Sequence, residues 1–184
     1  MLWGYRLDAA RGWLRALAAA CLGLRVGARV QLHPGSRIRS GPGSAIGAGS
    51  TVYRRVQLLA TGAGRFTIGT RSHIAPDGYL LIGGQRLTIG DDVAIGPGLM
   101  LFCESNAIGY EFDRLHRECY ERADVSIGSN VFIGARVTVL PGSRIDDGVV
   151  VAAHSLVRGR LESGWVYGGV PARPIRLLDG KEAR

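Results

Sequence analysis

The chain has 184 residues, of which 46% are hydrophobic, 7% aromatic and 28 glycine, a balance that fits one ordered, turn-rich domain and excludes a disordered polymer. A formal net charge of +8 points to an anionic partner, whether nucleic acid, an acidic membrane surface or a phosphorylated small molecule, or else to a plain preference for arginine. No aromatic residues interleave with clustered basic ones as a nucleic-acid reader requires, so nucleic acid is the least favoured of these partners.

Residues 1–25 open the chain with Leu2, Trp3, Leu7, Ala10, Leu14, Leu17, Cys21 and Leu24 at spacings of three and four, separated by Arg6, Arg11 and Arg15. The spacing predicts an amphipathic helix. Its expected task is to cap the open first coil of a repetitive fold. Trp3, Tyr5 and Trp13 beside three arginines would also suit an acidic membrane surface. The run Leu17 to Cys21 looks like a lipoprotein cleavage box, but the apolar stretch ahead of it is too short for a signal sequence. No apolar stretch approaches the roughly 20 residues of a spanning helix. Cys21, Cys103 and Cys119 are odd in number and lack C-x-x-C spacing, which argues against a disulfide framework or a zinc site and suits the cytoplasm.

From Val26 an aliphatic residue returns at six-residue intervals with Gly, Ser, Asn or Pro between, first loosely through Leu32, Ile38 and Ile46, then through Val52, Leu58, Ile68, Ile74, Leu80, Ile89, Ile95 and Leu101. After an interruption it runs without a break through Ile127, Ile133, Val139, Ile145, Val151 and Val157. Six is neither a helix period nor a strand period, and such a repeat reads as a parallel β-helix in which each hexad makes one short strand and one turn. Three hexads close a triangular coil. Coils starting at Val26, Ile46, Ile68, Ile89, Ile127 and Ile145 number about six, a prism on the order of 29 Å tall at about 4.8 Å per coil. The β-helix is assigned to residues 26–164, with a protruding loop over 103–124 and a tail over 165–184. The loop, charged and out of register, is of a length that is usually either functional or disordered, and its Tyr110, Phe112, Leu115 and Tyr120 argue for one that packs against something. The repeat is expected to stop after Val157.

The unbroken hexads, the last coil V-A-A-H-S-L-V and the ending G-V-P-A-R-P-I-R at Gly169 to Arg176 resemble the left-handed β-helix acyltransferases of the hexapeptide-repeat family, most of all its sugar and polysaccharide O-acetyltransferases. The resemblance spans about Val26 to Arg176. It implies an acetyl-CoA-dependent O-acetyltransferase acting on a hydroxyl of a sugar or glycan precursor, and a homotrimer whose loop reaches over a site shared between subunits. The cysteines suit a cytoplasmic location, and the N-terminal helix would allow peripheral contact with the inner face of the membrane. By the same resemblance Ala135 and Ala153 are the small corner residues along which the pantetheine arm runs. Arg173 and Arg176 lie near the nucleotide phosphates, and Arg158 and Arg160 stand where the family often has a Thr-Lys pair.

The acceptor half departs from that pattern. The family's catalytic histidine falls at Asn106, and asparagine cannot act as a base at neutral pH. Another histidine then serves, the acceptor differs, or the chain is a catalytically inactive scaffold or CoA-binding protein. His116, inside the loop, is the leading candidate for the base. His154 and His73 follow, and His33 reads as a corner residue. Glu104 and Glu111 would need burial to become useful bases. No metal is expected, because the histidines, 40, 43 and 38 residues apart, include no close pair of the kind that binds zinc in the carbonic anhydrases sharing this fold.

Overall fold

The computed structural model describes residues 2–21, 23–107 and 115–179; for residues 2–11 and 116 this covers the backbone alone. After helix α1 (Leu2–Cys21) the described chain winds through six complete coils and the first two strands of a seventh. The strands stack as three parallel faces of a prism. The first face runs from Arg25–Val26 to Arg160–Leu161, the second from Gln31–Leu32 to Trp165–Gly168, and the third from Arg37–Arg39 to Leu156–Val157. Each corner takes the number of the face it follows.

Register explains the six-residue period. On the first face Ile46, Ile68, Ile89, Ile127, Ile145 and Leu161 stand directly above one another. On the second, Leu32, Val52, Ile74, Ile95, Ile133 and Val151 do the same, with Tyr167 next in the column. These residues are all buried. Strands of two to five residues have one or two inward positions each, so every hexad contributes one side chain to the axial column. Burying an aliphatic side chain of this size contributes about 1.5–3 kcal/mol, which makes the columns the main source of cohesion between coils.

A second buried position commonly sits two residues before the column residue, filled mostly by apolar side chains such as Phe66, Leu87 and Val131, and where it is serine the hydroxyl satisfies the corner backbone. Ser50 Oγ donates to the Gly69 carbonyl at 2.7 Å and accepts from Ser72 N–H at 3.0 Å, while Ser72 Oγ donates to the Gly90 carbonyl at 2.8 Å. No buried side-chain nitrogen or oxygen among the described residues lacks a partner.

The β-helix extends beyond its expected end. Arg160–Leu161 joins the first face and Trp165–Gly168 the second, after which the cis Val170–Pro171 bond precedes a strand, Arg173–Leu177, that returns antiparallel along Trp165–Gly168. At the other end, α1 lies against the first and second strands of coil one. Gly12 and Ala16 are buried there, and Arg15 donates to the Ser36 carbonyl at 3.1 Å. Trp13, Leu14 and Leu17 face solvent, 53%, 60% and 45% exposed.

The protruding segment is narrower than 103–124 and has structure at its base. Cys103 is buried in the prism wall, its N–H donating to Leu81. Beyond it Glu104–Asn106 and Tyr120–Arg122 form an antiparallel ribbon, tied by an Arg122–Glu104 ion pair at 3.2 Å. Residues 108–114, with Tyr110, Glu111 and Phe112, lie outside the described residues.

Candidate active site

Coils four to seven turn their second corner with glycine, alanine and one proline. By register Gly96, Gly134, Ala152 and Gly168 form one column, and Pro97, Ala135, Ala153 and Gly169 the column beside it. Ala135 is half-buried and Ala153 exposed. Arg136 and His154 border this strip, both exposed and with φ of 55° and 60°, in the left-handed conformation that Gly98 adopts one coil earlier. The His154 N–H donates to the Ala135 carbonyl at 2.9 Å, which fixes the two corners against each other.

The tail strand carries positive charge to the top of the strip. Arg173 pairs with Gly168 and Arg176 with Val166, and both side chains are exposed, each donating to a main-chain carbonyl, of Ala172 at 3.2 Å and of Leu177 at 3.1 Å. The structure therefore groups Ala135, Ala153, Arg173 and Arg176 on one side of the prism. It also adds Arg136, which the sequence reading passed over; its hexad position, shared with Gly98 and His154, was the available signal.

Arg158 and Arg160 stand apart from this group. Arg158 is exposed at the third corner, and Arg160 lies on the first face. Arg160 is held by Asp146: its Nε donates at 2.8 Å, and Arg144 Nε donates to the same carboxylate at 2.7 Å. Asp146 occupies the corner position held by glycine in the coils below, as at Gly128. A groove of about 530 Å³, lined by Thr88, Ser126, Arg144, Asp146 and Ser163, opens beside it.

The hydrogen bonds from Arg144 and then Arg160 hold the Asp146 carboxyl below the ordinary aspartate range. A lowered folded value means that this pairing stabilises the fold fully above the unfolded pKa of about 3.9 and is lost as pH falls through the folded value. Urea unfolding should therefore show wild type losing more stability between pH 6 and pH 3 than Asp146→Asn, and parallel losses would show the pairing to be unimportant.

The acceptor-side residues emerge elsewhere. Asn106 is exposed and ends the first ribbon strand opposite Tyr120, with Ala107 N–H donating to Cys119 at 2.9 Å. His116 opens a short 3-10 turn, His116–Glu118, and its side chain lies outside the described residues. This ribbon springs from the third corner, one face of the prism away from the second-corner strip. His73 is on the second face, half-buried, its ring 6.1 Å from Tyr53, which in turn stands 4.9 Å from His33. Among the described residues no three His, Cys, Asp or Glu side chains are placed to hold a metal ion.

Comparison with known proteins accords with this architecture. Residues 124–159 match the bacterial transferase hexapeptide (six repeats) family. The galactoside O-acetyltransferase of Escherichia coli K12 is 32% identical over 122 residues, covering 64% of this chain and 59% of the relative. The chain spans less than two thirds of that relative's length. Among solved structures, an N-acyltransferase from Bacillus cereus, AntD, in complex with dTDP and coenzyme A superposes with a TM-score of 0.76 at 24% identity, over 91% of this chain and 88% of AntD. A hexapeptide-repeat acetyltransferase from Vibrio cholerae, complexed with acetyl coenzyme A, gives 0.61 at 23% identity, over 96% and 88%. Coil register and structural likeness together make the chain a left-handed parallel β-helix, whose residues 124–159 carry the bacterial transferase hexapeptide repeat.

Proposed function

We propose that this chain transfers an acetyl group from acetyl-CoA to a hydroxyl of a sugar or glycan precursor, as a cytoplasmic homotrimer in peripheral contact with the membrane through α1. The observation that carries the reading is the second-corner strip of small residues leading to Arg173 and Arg176. A pantetheine arm needs a smooth, narrow track, and phosphates need fixed guanidinium groups at its end. Relatives support the donor: AntD was solved with coenzyme A, and the similar E. coli enzyme is a galactoside O-acetyltransferase.

The chemistry requires a base. A saccharide hydroxyl attacks the thioester carbonyl carbon, its oxygen bonds to that carbon, the C–S bond breaks, and the hydroxyl proton passes by way of the base to the departing thiolate. Corner N–H groups can steady the oxyanion that forms between the two steps. We assign the base to His116, carried on the ribbon that springs from the third corner. Because ribbon and strip lie on different corners, the ribbon of one subunit would complete the strip of the next, which is the reason for a trimer. His154, beside Ala153, is the competing histidine.

Calorimetric titration should give micromolar acetyl-CoA binding at one site per chain. With a saccharide acceptor, thiol release should fall about 100-fold or more in His116→Ala, the scale of a lost general base, with acetyl-CoA binding intact. An unchanged rate in that variant, with a loss in His154→Ala, would move the role to His154. Asn106 favours a second reading, a scaffold or CoA-binding protein without turnover. Absence of binding up to millimolar acetyl-CoA would leave the scaffold, and turnover gained only in Asn106→His would show a base that has been lost.

A further inference from the structure

The basic charge of the chain is concentrated at one end of the prism. Residues 1–85 hold eleven arginines and two acids, Asp8 and Asp77, a formal +9; residues 86–184 hold twelve basic residues against thirteen acidic ones, a formal −1. Along the axis these halves are the helix and coils one to three at one end, and the ribbon, the strip and the tail at the other.

The distribution around the end is as telling as the total. Coil one carries exposed Arg25 on its first face, Arg29 at the following corner, and Arg37 and Arg39 on its third face, so guanidinium groups ring the rim on several sides. Arg37 and Arg39 point outward because the inward place between them belongs to Ile38. Across the end lies α1, its small residues Gly12 and Ala16 turned to the coil and its large apolar residues Trp13, Leu14 and Leu17 turned to solvent, with exposed Arg15 beside them. Farther up, Arg55 and Arg71 are paired with Asp77 and Asp92 at 2.6 Å, whereas Arg25, Arg29, Arg37 and Arg39 are exposed at the rim. Apolar side chains framed by fixed cations complement a surface that presents anions around an accessible hydrocarbon layer.

We infer that the helix-capped end of the prism, α1 together with the coil-one arginine ring, docks onto a bilayer surface rich in anionic lipid. This goes beyond a contact by the helix alone, because the β-helix itself supplies Arg25, Arg29, Arg37 and Arg39 to the surface, and it does not depend on acetyl transfer. The apolar helix residues enter the headgroup boundary while Arg25, Arg29, Arg37 and Arg39 meet lipid phosphates. No helix of the described residues is long and apolar enough to cross a membrane, so the contact is one of docking. The ribbon and the second-corner strip then face away from the lipid.

Co-sedimentation of the full chain with vesicles of phosphatidylcholine alone, and of phosphatidylcholine mixed with phosphatidylglycerol, tests this. Binding should be at least tenfold tighter to the anionic vesicles, and most of that preference should vanish near 0.5 M salt, as screening shortens the reach of the arginines. Arg37→Gln with Arg39→Gln should cut anionic-vesicle binding about tenfold, and Trp13→Ser with Leu17→Ser by a similar factor, both with unchanged thermal unfolding because all four side chains are exposed. Equal binding to both vesicle types, or none to either, overturns the inference. So does helix-dependent self-association seen by light scattering without vesicle binding, which would make a second copy the occupant, or binding to duplex DNA in preference to anionic vesicles.

Discussion

Ala153→Trp is expected to weaken acetyl-CoA binding about 100-fold or more, an effect near 2.7 kcal/mol, while leaving thermal unfolding almost unchanged. Ala153 is exposed at the second corner, between Ala135 one coil below and Gly169 one coil above, and it is not among the residues of positive φ. A large side chain can be carried there without disturbing the column of Val151, which points the other way into the core. Its indole would nonetheless fill the track between Ala135 and the tail arginines. Titration calorimetry reads the binding loss directly, and Ala153→Ser, adding one hydroxyl, should bind within a few-fold of wild type. Tight binding retained by the tryptophan variant would move the donor away from this corner, and the first-face groove beside Asp146 would become the place to look.

That outcome bears on how the site could be read from the chain at all. The aliphatic columns were legible because each inward residue stacks on residues of identical role, so the period survives every change of corner. It fails where roles change. Leu161 follows Val157 by four residues, and the next column position is the aromatic Tyr167, whose hydroxyl accepts the Glu162 N–H at 2.8 Å, so the seventh coil carries no visible hexad. The ribbon at Glu104–Asn106 is charged and antiparallel, held by Arg122 rather than by any inward column, and a hexad pattern has nothing to say about it. Ala135 and Ala153 were readable as corner residues, since a corner's size is set by the chain itself. Arg160 was read as a candidate phosphate ligand, yet the structure holds it with Asp146, a partner fourteen residues away and one coil below. The base is harder still, because the ribbon springs from the third corner and the strip lies on the second, and the hexad pattern says nothing of what a loop histidine outside it can reach.

The same corner sets a second large effect, on the fold instead of the ligand. Gly134→Val is expected to destabilise the chain by at least about 3 kcal/mol, at or above the usual cost of overpacking. A Cβ at Gly134 would stand 2.5 Å from the Ala153 nitrogen and 2.9 Å from its Cα, and backbone atoms of the next coil cannot swing aside as a side-chain tip would. The Gly134 N–H also donates to the Val151 carbonyl at 2.8 Å, so relief by separating the coils breaks the ladder that joins them. Since each coil of a solenoid touches only its neighbours, a wedge between coils five and six uncouples the sixth coil, the seventh and the tail from the rest. Urea unfolding should accordingly lose its single transition, with the Trp165 end melting first by fluorescence and the bulk of the β-sheet signal later. Gly84→Ala provides the comparison: nothing lies within 4 Å of a Cβ there and its φ is not positive, so stability should stay within about 0.5 kcal/mol of wild type. Equal, small effects at both glycines would mean that adjacent coils can separate by the width of a methyl group at little cost. The close register seen from Ile46 to Leu161 would then be a weaker determinant of the fold than the axial columns.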